Sequence, residues 1–235
     1  MIQMCFQDRA DAGRQLAERL RGLPHHRPLV LAVPRGGIEV ALPIAQALHA
    51  DLDVVLARKL RSPGQPELAL GAISETGEVH LNNHGRVITD GGRHWIEREK
   101  AHQREEIERR RALFRSVRPL AGIADRTVIV VDDGVATGAT LMAALRTVRA
   151  SRPRELIAAI PVAQVDRLAE VRSLADRVVC LQEPREFWAV GQFYRSFEQV
   201  TDERVLQVLR DHGHAGHPTA EPQARARAAA IDPRD

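Results

Sequence analysis

The residues best suited to chemistry lie in one string: Val128-Ile129-Val130-Val131-Asp132-Asp133-Gly134-Val135-Ala136-Thr137-Gly138-Ala139-Thr140. Four apolar strand formers deliver two carboxylates, and a turn containing Gly and Thr then opens a helical pattern. Successive backbone N–H groups, two hydroxyls and a helix N-terminus suit a phosphate. Carboxylates beside such a site repel that anion and need another partner. A vicinal diol is the natural one, since a carboxylate can accept two hydrogen bonds from it. The combination predicts a cradle for a ribose 5-phosphate. A plainer origin, an acidic pair capping the next helix with glycines serving a tight turn, would explain any single piece but not the whole string. No Gly-Lys-Ser/Thr follows, which excludes a P-loop.

Three other stretches carry candidate groups. Pro34-Arg35-Gly36-Gly37 ends the apolar run Leu29–Val33; glycines let backbone amides approach an anion, and Arg35 supplies charge. Arg58-Lys59 ends a second apolar run and is followed by the breaker-rich Ser62-Pro63-Gly64-Gln65-Pro66, which reads as a mobile loop. The third stretch, Phe187-Trp188-Ala189-Val190-Gly191-Gln192-Phe193-Tyr194, holds four of the eight aromatics in the chain. Trp188 there can stack on a flat ligand or pack the segment onto the sheet.

The elements that must position these groups follow from periodicity. A helix from Asp8 carries Leu16, Leu20 and Leu23. The continuous apolar runs at Leu29–Val33 and Leu52–Ala57, with a helical pattern from Ile38 to Leu48 between them, form a βαβ unit. Leu68–Ser74 and Glu78–Leu81 flank Glu75-Thr76-Gly77 as a hairpin appended to the sheet. Arg93 to Val117 is densely charged around Trp95, Ile107, Ala112, Leu113 and Phe114, and predicts a long exposed helix, a lid or dimer element. Strand and helix patterns then alternate through Thr127–Val131, Ala139–Arg149, Leu156–Val162, Asp166–Ala175 and Arg177–Leu181. The expected fold is α/β with a doubly wound, mostly parallel sheet. Residues 1–212 read as one domain, with the inserted helix over about 93–117 and a terminal cover over about 182–198. A last helix starts at a Thr201 N-cap, and 213–235 reads as a disordered tail.

On these motifs the chain resembles the type I phosphoribosyltransferases, and within them the predicted members that carry a helical insertion. Their signature is an apolar strand, an acidic pair and then Ala/Thr-Thr-Gly-x-Thr. The string departs at Gly134, where an aliphatic residue is usual, and at Ala136, where hypoxanthine–guanine enzymes carry an Asp; adenine and uracil enzymes are closer there. The resemblance implies that Asp132 and Asp133 orient ribose and that Val135, Ala136, Thr137, Gly138, Ala139 and Thr140 hold its phosphate. It places Arg35, Gly36 and Gly37 in a pyrophosphate loop, with a cis peptide sought at Pro34–Arg35. Arg58 and Lys59 correspond to the flexible catalytic loop. The aromatic segment corresponds to a hood over the nucleobase, and counting back three from Gly191 lands on Trp188 as the stacking residue. The implied reaction transfers a 5-phosphoribosyl group from phosphoribosyl pyrophosphate to a nitrogen nucleophile, a nucleobase-like small molecule. Mg2+ would be held mainly through substrate. Glu183, Glu186 and substrate-bound water stand as alternatives for the base. A sensor of the same donor or of a nucleotide, without turnover, is the rival on the same fold.

Composition bounds the remaining choices. With 34 basic against 31 acidic residues the net charge is +3, which gives no field for nucleic acid. The arginines of the inserted helix alternate with Glu97, Glu99, Glu105, Glu106 and Glu108, a pattern of helical ion pairs. No run approaches the ~18 apolar residues of a membrane span, so a cytoplasmic chain is expected. Cys5 and Cys180 lie among apolar neighbours and read as small buried hydrophobes. No metal-binding set is expected, because His212, His214 and His217 stand in the solvated tail. Lys59 and Lys100 are the only lysines. Trp95 and Phe114 on the insertion make a homodimer a reasonable expectation.

Overall fold

The computed structural model describes residues 5–62, 65–81, 85 and 90–212. The expected tail, 213–235, and Pro63-Gly64 of the expected mobile loop lie outside the described residues.

Helix α1 (Arg9–Arg21) starts where Asp8 accepts the Asp11 N–H at 2.7 Å, and buries Leu16 and Leu20. The βαβ unit follows as β1 (Leu29–Ala32), α2 (Gly37–Leu48) and β2 (Asp51–Val54). β3 (Ala57–Ser62), β4 (Gln65–Ser74) and β5 (Val79–Leu81) come next, then α3 (Asp90–Arg115). The chain continues through β6 (Thr127–Val131), α4 (Ala139–Ala150), β7 (Glu155–Val162), α5 (Val165–Arg172) and β8 (Arg177–Gln182). A 3-10 turn (Val190–Phe193) and α6 (Asp202–Asp211), N-capped by Thr201, complete the described chain.

The main sheet has the order β2-β1-β6-β7-β8, every pair parallel. Its side chains alternate between two cores. Val30, Ala32, Ile129 and Val131 meet α1, α2 and α6, whereas Leu29, Leu31, Val128 and Val130 meet α4 and α5. Continuous apolar strands thus reflect burial on both faces, as their sequences imply.

Two expectations change. The hairpin joins not the main sheet but a separate antiparallel sheet of order β3-β4-β5, because the residues after β2 fold back at once: Ala57 pairs with Ser74. Arg58 and Lys59 therefore lie in strand β3. Helix α3 is not simply exposed, since it packs on β3, β4 and α6. Its buried stripe runs through Ile96, Gln103, Ile107, Arg110 and Phe114, while Ala112 faces solvent. Phe114 is wholly buried, which removes it from any dimer surface. Cys5 is exposed and Cys180 half-buried; Phe6 turns inward beside Cys5, so alternation sends the thiol out.

A buried charge ties the insertion to the sheet. Asp53, fully buried in β2, takes two bonds from Arg115 Nη1 (2.7 and 3.0 Å) and the Ala121 N–H (2.9 Å). Replacing Asp53 by Asn strands the Arg115 guanidinium. Thermal denaturation should show a loss of about 3–5 kcal/mol.

Candidate active site

Chain connections diverge between β1 and β6. β1 leads through α2 to β2 on one side, and β6 leads to β7 and β8 on the other. Ligands gather outside the carboxyl ends of strands at such a switch point. The loop after β1 and the loop after β6 leave side by side, with Val33 N–H bonded to Val131 O at 2.8 Å. The Pro34–Arg35 peptide is cis. Gly36 and Gly37 turn into α2 so close to β6 that a Cβ on Gly36 would collide with the Asp133 carboxylate, and one on Gly37 would press on Val131 O. Gly36→Ala should push Asp133 off its partner and lower kcat/KM about tenfold or more, checked by steady-state kinetics on a variant of parent-like Tm.

The two carboxylates differ. Asp133 Oδ2 accepts from Arg9 Nε at 2.7 Å, with the two side chains only 11% (Arg9) and 17% (Asp133) exposed. Arg9 also donates through Nη1 to Glu198 O (2.7 Å) and lies 3.7 Å over the Phe197 ring. The Tyr194 hydroxyl donates to Asp133 O at 2.6 Å, and burial keeps that phenol protonated by raising its pKa far above the usual value. Burial raises Asp133 while Arg9 pulls it back. Among the described residues Asp132 has no such cation in contact, and its Oδ1 accepts the Asp133 N–H at 2.9 Å. Burial first, and the Asp133 charge second, lift its pKa well above the ordinary carboxylate range. Asp133 is thus the carboxylate fastened to the fold by a cation, and Asp132 is not.

The turn after them is held at its start and open beyond. Val135 bridges to β7 through Val135 N–H to Val162 O (2.9 Å) and Gln164 N–H to Val135 O (3.0 Å). Gly138, at φ +75°, then caps α4 in the left-handed region that glycine accepts without strain. Among the described residues, the N–H groups from Ala136 to Thr140 and the hydroxyls of Thr137 and Thr140 have no protein partner. That row of donors at a helix start fits an anion. The departure at Gly134 also has a cause: a Cβ there would strike Val190 of the terminal cover.

Comparison with known proteins decides the family. Residues 6–198 match the family described as "Phosphoribosyl transferase domain". The chain belongs to that family. Two curated relatives from Mycobacterium tuberculosis strains, each named "Putative phosphoribosyl transferase", are 43% identical over 218 residues. The match takes in 90% of this chain and 48% of each relative, so the chain spans about half their length. The crystal structure of TT1426 from Thermus thermophilus is similar at 44% identity and TM-score 0.75, over 89% of this chain and 99% of that one.

In this phosphoribosyl transferase domain the basic residues divide. Strand alternation sends Arg58 and Lys59 to opposite faces of β3. Arg58 Nε donates to Gln103 of α3 at 2.8 Å. Its pKa is lowered by burial and by the nearby charges of Arg110, Arg61 and Arg35, which puts it in electrostatic range of the loop after β1. The Arg35 guanidinium makes no hydrogen bond or ion pair among the described residues.

The terminal cover reaches the same end of the sheet. Phe6 bridges Tyr194 and donates its N–H to Phe193 O (2.8 Å), while Phe187 packs on Phe193 with ring centroids 5.0 Å apart. Phe187, and not Trp188, therefore holds the cover down. Trp188 is 89% exposed, presented by Gln192 Oε1, which accepts the Trp188 and Ala189 N–H groups at 2.9 and 3.1 Å. Glu183 is occupied by Arg172 at 2.9 Å.

Arg9 escaped the sequence analysis, which also gave Gln192 and Tyr194 no role of their own within the aromatic segment. An Arg after an N-cap Asp looks like any helix residue, and nothing local marks its partner. No cluster of three or more metal-ligating side chains exists among the described residues. The donor set still fits Mg2+, which keeps substrate phosphates and water as ligands beside one or two carboxylates such as Asp132. No helix among the described residues is long and apolar enough to cross a membrane.

Proposed function

We propose that this domain transfers a 5-phosphoribosyl group from phosphoribosyl pyrophosphate to a nitrogen nucleophile, a nucleobase-like molecule, and releases pyrophosphate. The observation that carries the proposal is the junction of a carboxylate open to ligand, Asp132, with an unpaired run of donors from Ala136 to Thr140. One side suits a sugar diol and the other a phosphate, at the spacing of a single turn.

Bond breaking at the anomeric carbon develops positive charge on the sugar and negative charge on the departing pyrophosphate. Asp132 accepts from the ribose hydroxyls, and Asp133, fixed by Arg9, keeps that edge of the site in place. Thr137, Thr140 and the amides around Gly138 hold the 5-phosphate, fixing the reacting carbon. Gly36, Gly37 and Arg35 meet the leaving group, where preorganised positive charge acts most strongly. Asp132 and the substrate oxygens would hold Mg2+, which would supply charge neutralisation at the pyrophosphate. Arg58 and the exposed Trp188 complete the cleft, with Lys59 on the other face of β3, and the indole offers a stacking face worth about 1–3 kcal/mol to a flat base.

The test mixes the protein, the donor, Mg2+ and a panel of nucleobases and measures pyrophosphate release. Turnover with one or more bases is expected. Tight donor binding with silence across the panel would instead favour the sensor, which the missing carboxylate at Ala136 allows.

A further inference from the structure

We propose that the inserted helix α3 completes an anion site, with Arg110 joining Arg35 and Arg58 to bind a pyrophosphate group. Helix α3 follows the antiparallel sheet and would otherwise need only apolar residues on its buried stripe. Two positions on that stripe are polar and deeply buried: Gln103, 1% exposed, and Arg110, 8% exposed, two turns further on. Burying a guanidinium is costly unless something answers its charge. Gln103 is accounted for, since its Oε1 accepts from Arg58 Nε at 2.8 Å and its Nε2 donates to Glu99 at 2.9 Å.

Arg110 is not accounted for. Among the described residues its one ionic neighbour in contact is Asp202 at the start of α6, with Nε 3.6 Å from Oδ1, beyond hydrogen-bond reach. Nε of Arg110 and Oδ1 of Asp202 are both buried without a hydrogen-bond partner. The terminal nitrogens of Arg110 also have no acceptor among the described residues, and neither do those of Arg35 and Arg58. The three belong to different elements, the loop after β1, strand β3 and helix α3, yet they sense one another. Burial lowers the pKa of Arg58 and Arg110 first; Arg110 and Arg35 then act on Arg58, and Arg35 on Arg110. Facing acids are Glu106, already bonded by Arg109, and Asp202, with Glu203 within range of Arg35.

Like charges gathered with unused donors suit a multiply charged, oxygen-rich anion, which accepts forked bonds from several guanidinium groups. Arg35 leads into Gly36, which abuts Asp133, so the site adjoins the proposed donor cleft. The choice of pyrophosphate as the anion rests on the proposed function. The grouping of charges does not.

The test is calorimetric titration of the intact chain with inorganic pyrophosphate, without base or turnover, so an inactive transferase leaves it valid. Arg110→Gln should weaken binding about 10- to 100-fold. Asp202→Asn should leave affinity unchanged or tighten it, because it removes a carboxylate that repels the ligand. A purely structural Arg110–Asp202 pair would instead make both variants bind equally poorly, and that result overturns the assignment. Parent-like affinity in Arg110→Gln overturns it as well. If Arg110→Gln does not fold, Arg110→Lys decides alone. About threefold or weaker binding supports the site, because an ammonium cannot make the fork, and parent-like affinity refutes it.

Discussion

Asp132→Asn should lose phosphoribosyl transfer and gain stability at once. Removing the carboxylate proposed to accept from the ribose hydroxyls is expected to lower kcat/KM by about 10²–10³. The stability change has the opposite sign. Burial and the neighbouring Asp133 charge hold the Asp132 pKa well above its usual range. In the window between the unfolded and the raised folded value, the folded state binds more protons than the unfolded one. Stability therefore falls as pH rises through that window, so at neutral pH the raised pKa of Asp132 costs the fold free energy. The asparagine carries no charge to bury, so Tm should rise at neutral pH and the gain should shrink on acidification. Thermal scans of parent and variant across the acidic range check the crossing. A variant that is both inactive and less stable at neutral pH would refute this account of Asp132.

Arg9→Gln should produce the largest loss of stability tied to the site. Arg9 joins three separate pieces of chain: the Asp133 carboxylate, the Glu198 carbonyl and the Phe197 ring. Its partner is mostly buried, so the pair is not a surface salt bridge of small worth. Breaking it leaves an uncompensated carboxylate beside Asp132, at a cost of about 3–5 kcal/mol. For a chain of this size that lowers Tm by on the order of 10 °C. Activity should fall too, because the free Asp133 carboxylate takes up a proton more readily and the cover at 194–198 loses its fastening. The double variant Arg9→Gln, Asp133→Asn should recover part of the lost stability, since no charge is then stranded. Full additivity of the two single changes would show that the residues do not act as a pair.

Much of this architecture was legible in the sequence, and for a definite reason. Apolar runs at Leu29–Val33 and Thr127–Val131 report burial on both strand faces. The Asp132-to-Thr140 string reports its own turn and helix start, because glycines, hydroxyl side chains and carboxylates act on their own backbone. The role of β3 was less visible. Arg58-Lys59 before a Pro- and Gly-rich stretch looks like a loop, yet Ala57–Ser62 pairs with β4 despite two register shifts. Antiparallel pairing of the short, charged β3 with the longer β4 depends on what packs beneath them, which composition does not record. Helix α3 looked exposed for the same reason. Gln103 and Arg110 count as surface residues in any periodicity analysis, and only their neighbours show that they face inward.

Residue type and spacing were enough to place an acidic pair, a turn of unbonded N–H donors and a glycine loop at the strand ends of a parallel α/β sheet. Each is a local consequence of the side chains involved. Which acid a cation holds was settled only by packing. Arg9 reaches Asp133 across 124 positions, so Asp133 is the acid tied to the fold and Asp132 is the one proposed to meet the ligand. Packing also settled that Gly134 makes room for Val190, and that Arg110 turns inward with its Nε unbonded. Such encounters join elements far apart in the chain, and that information lies in no local window of it.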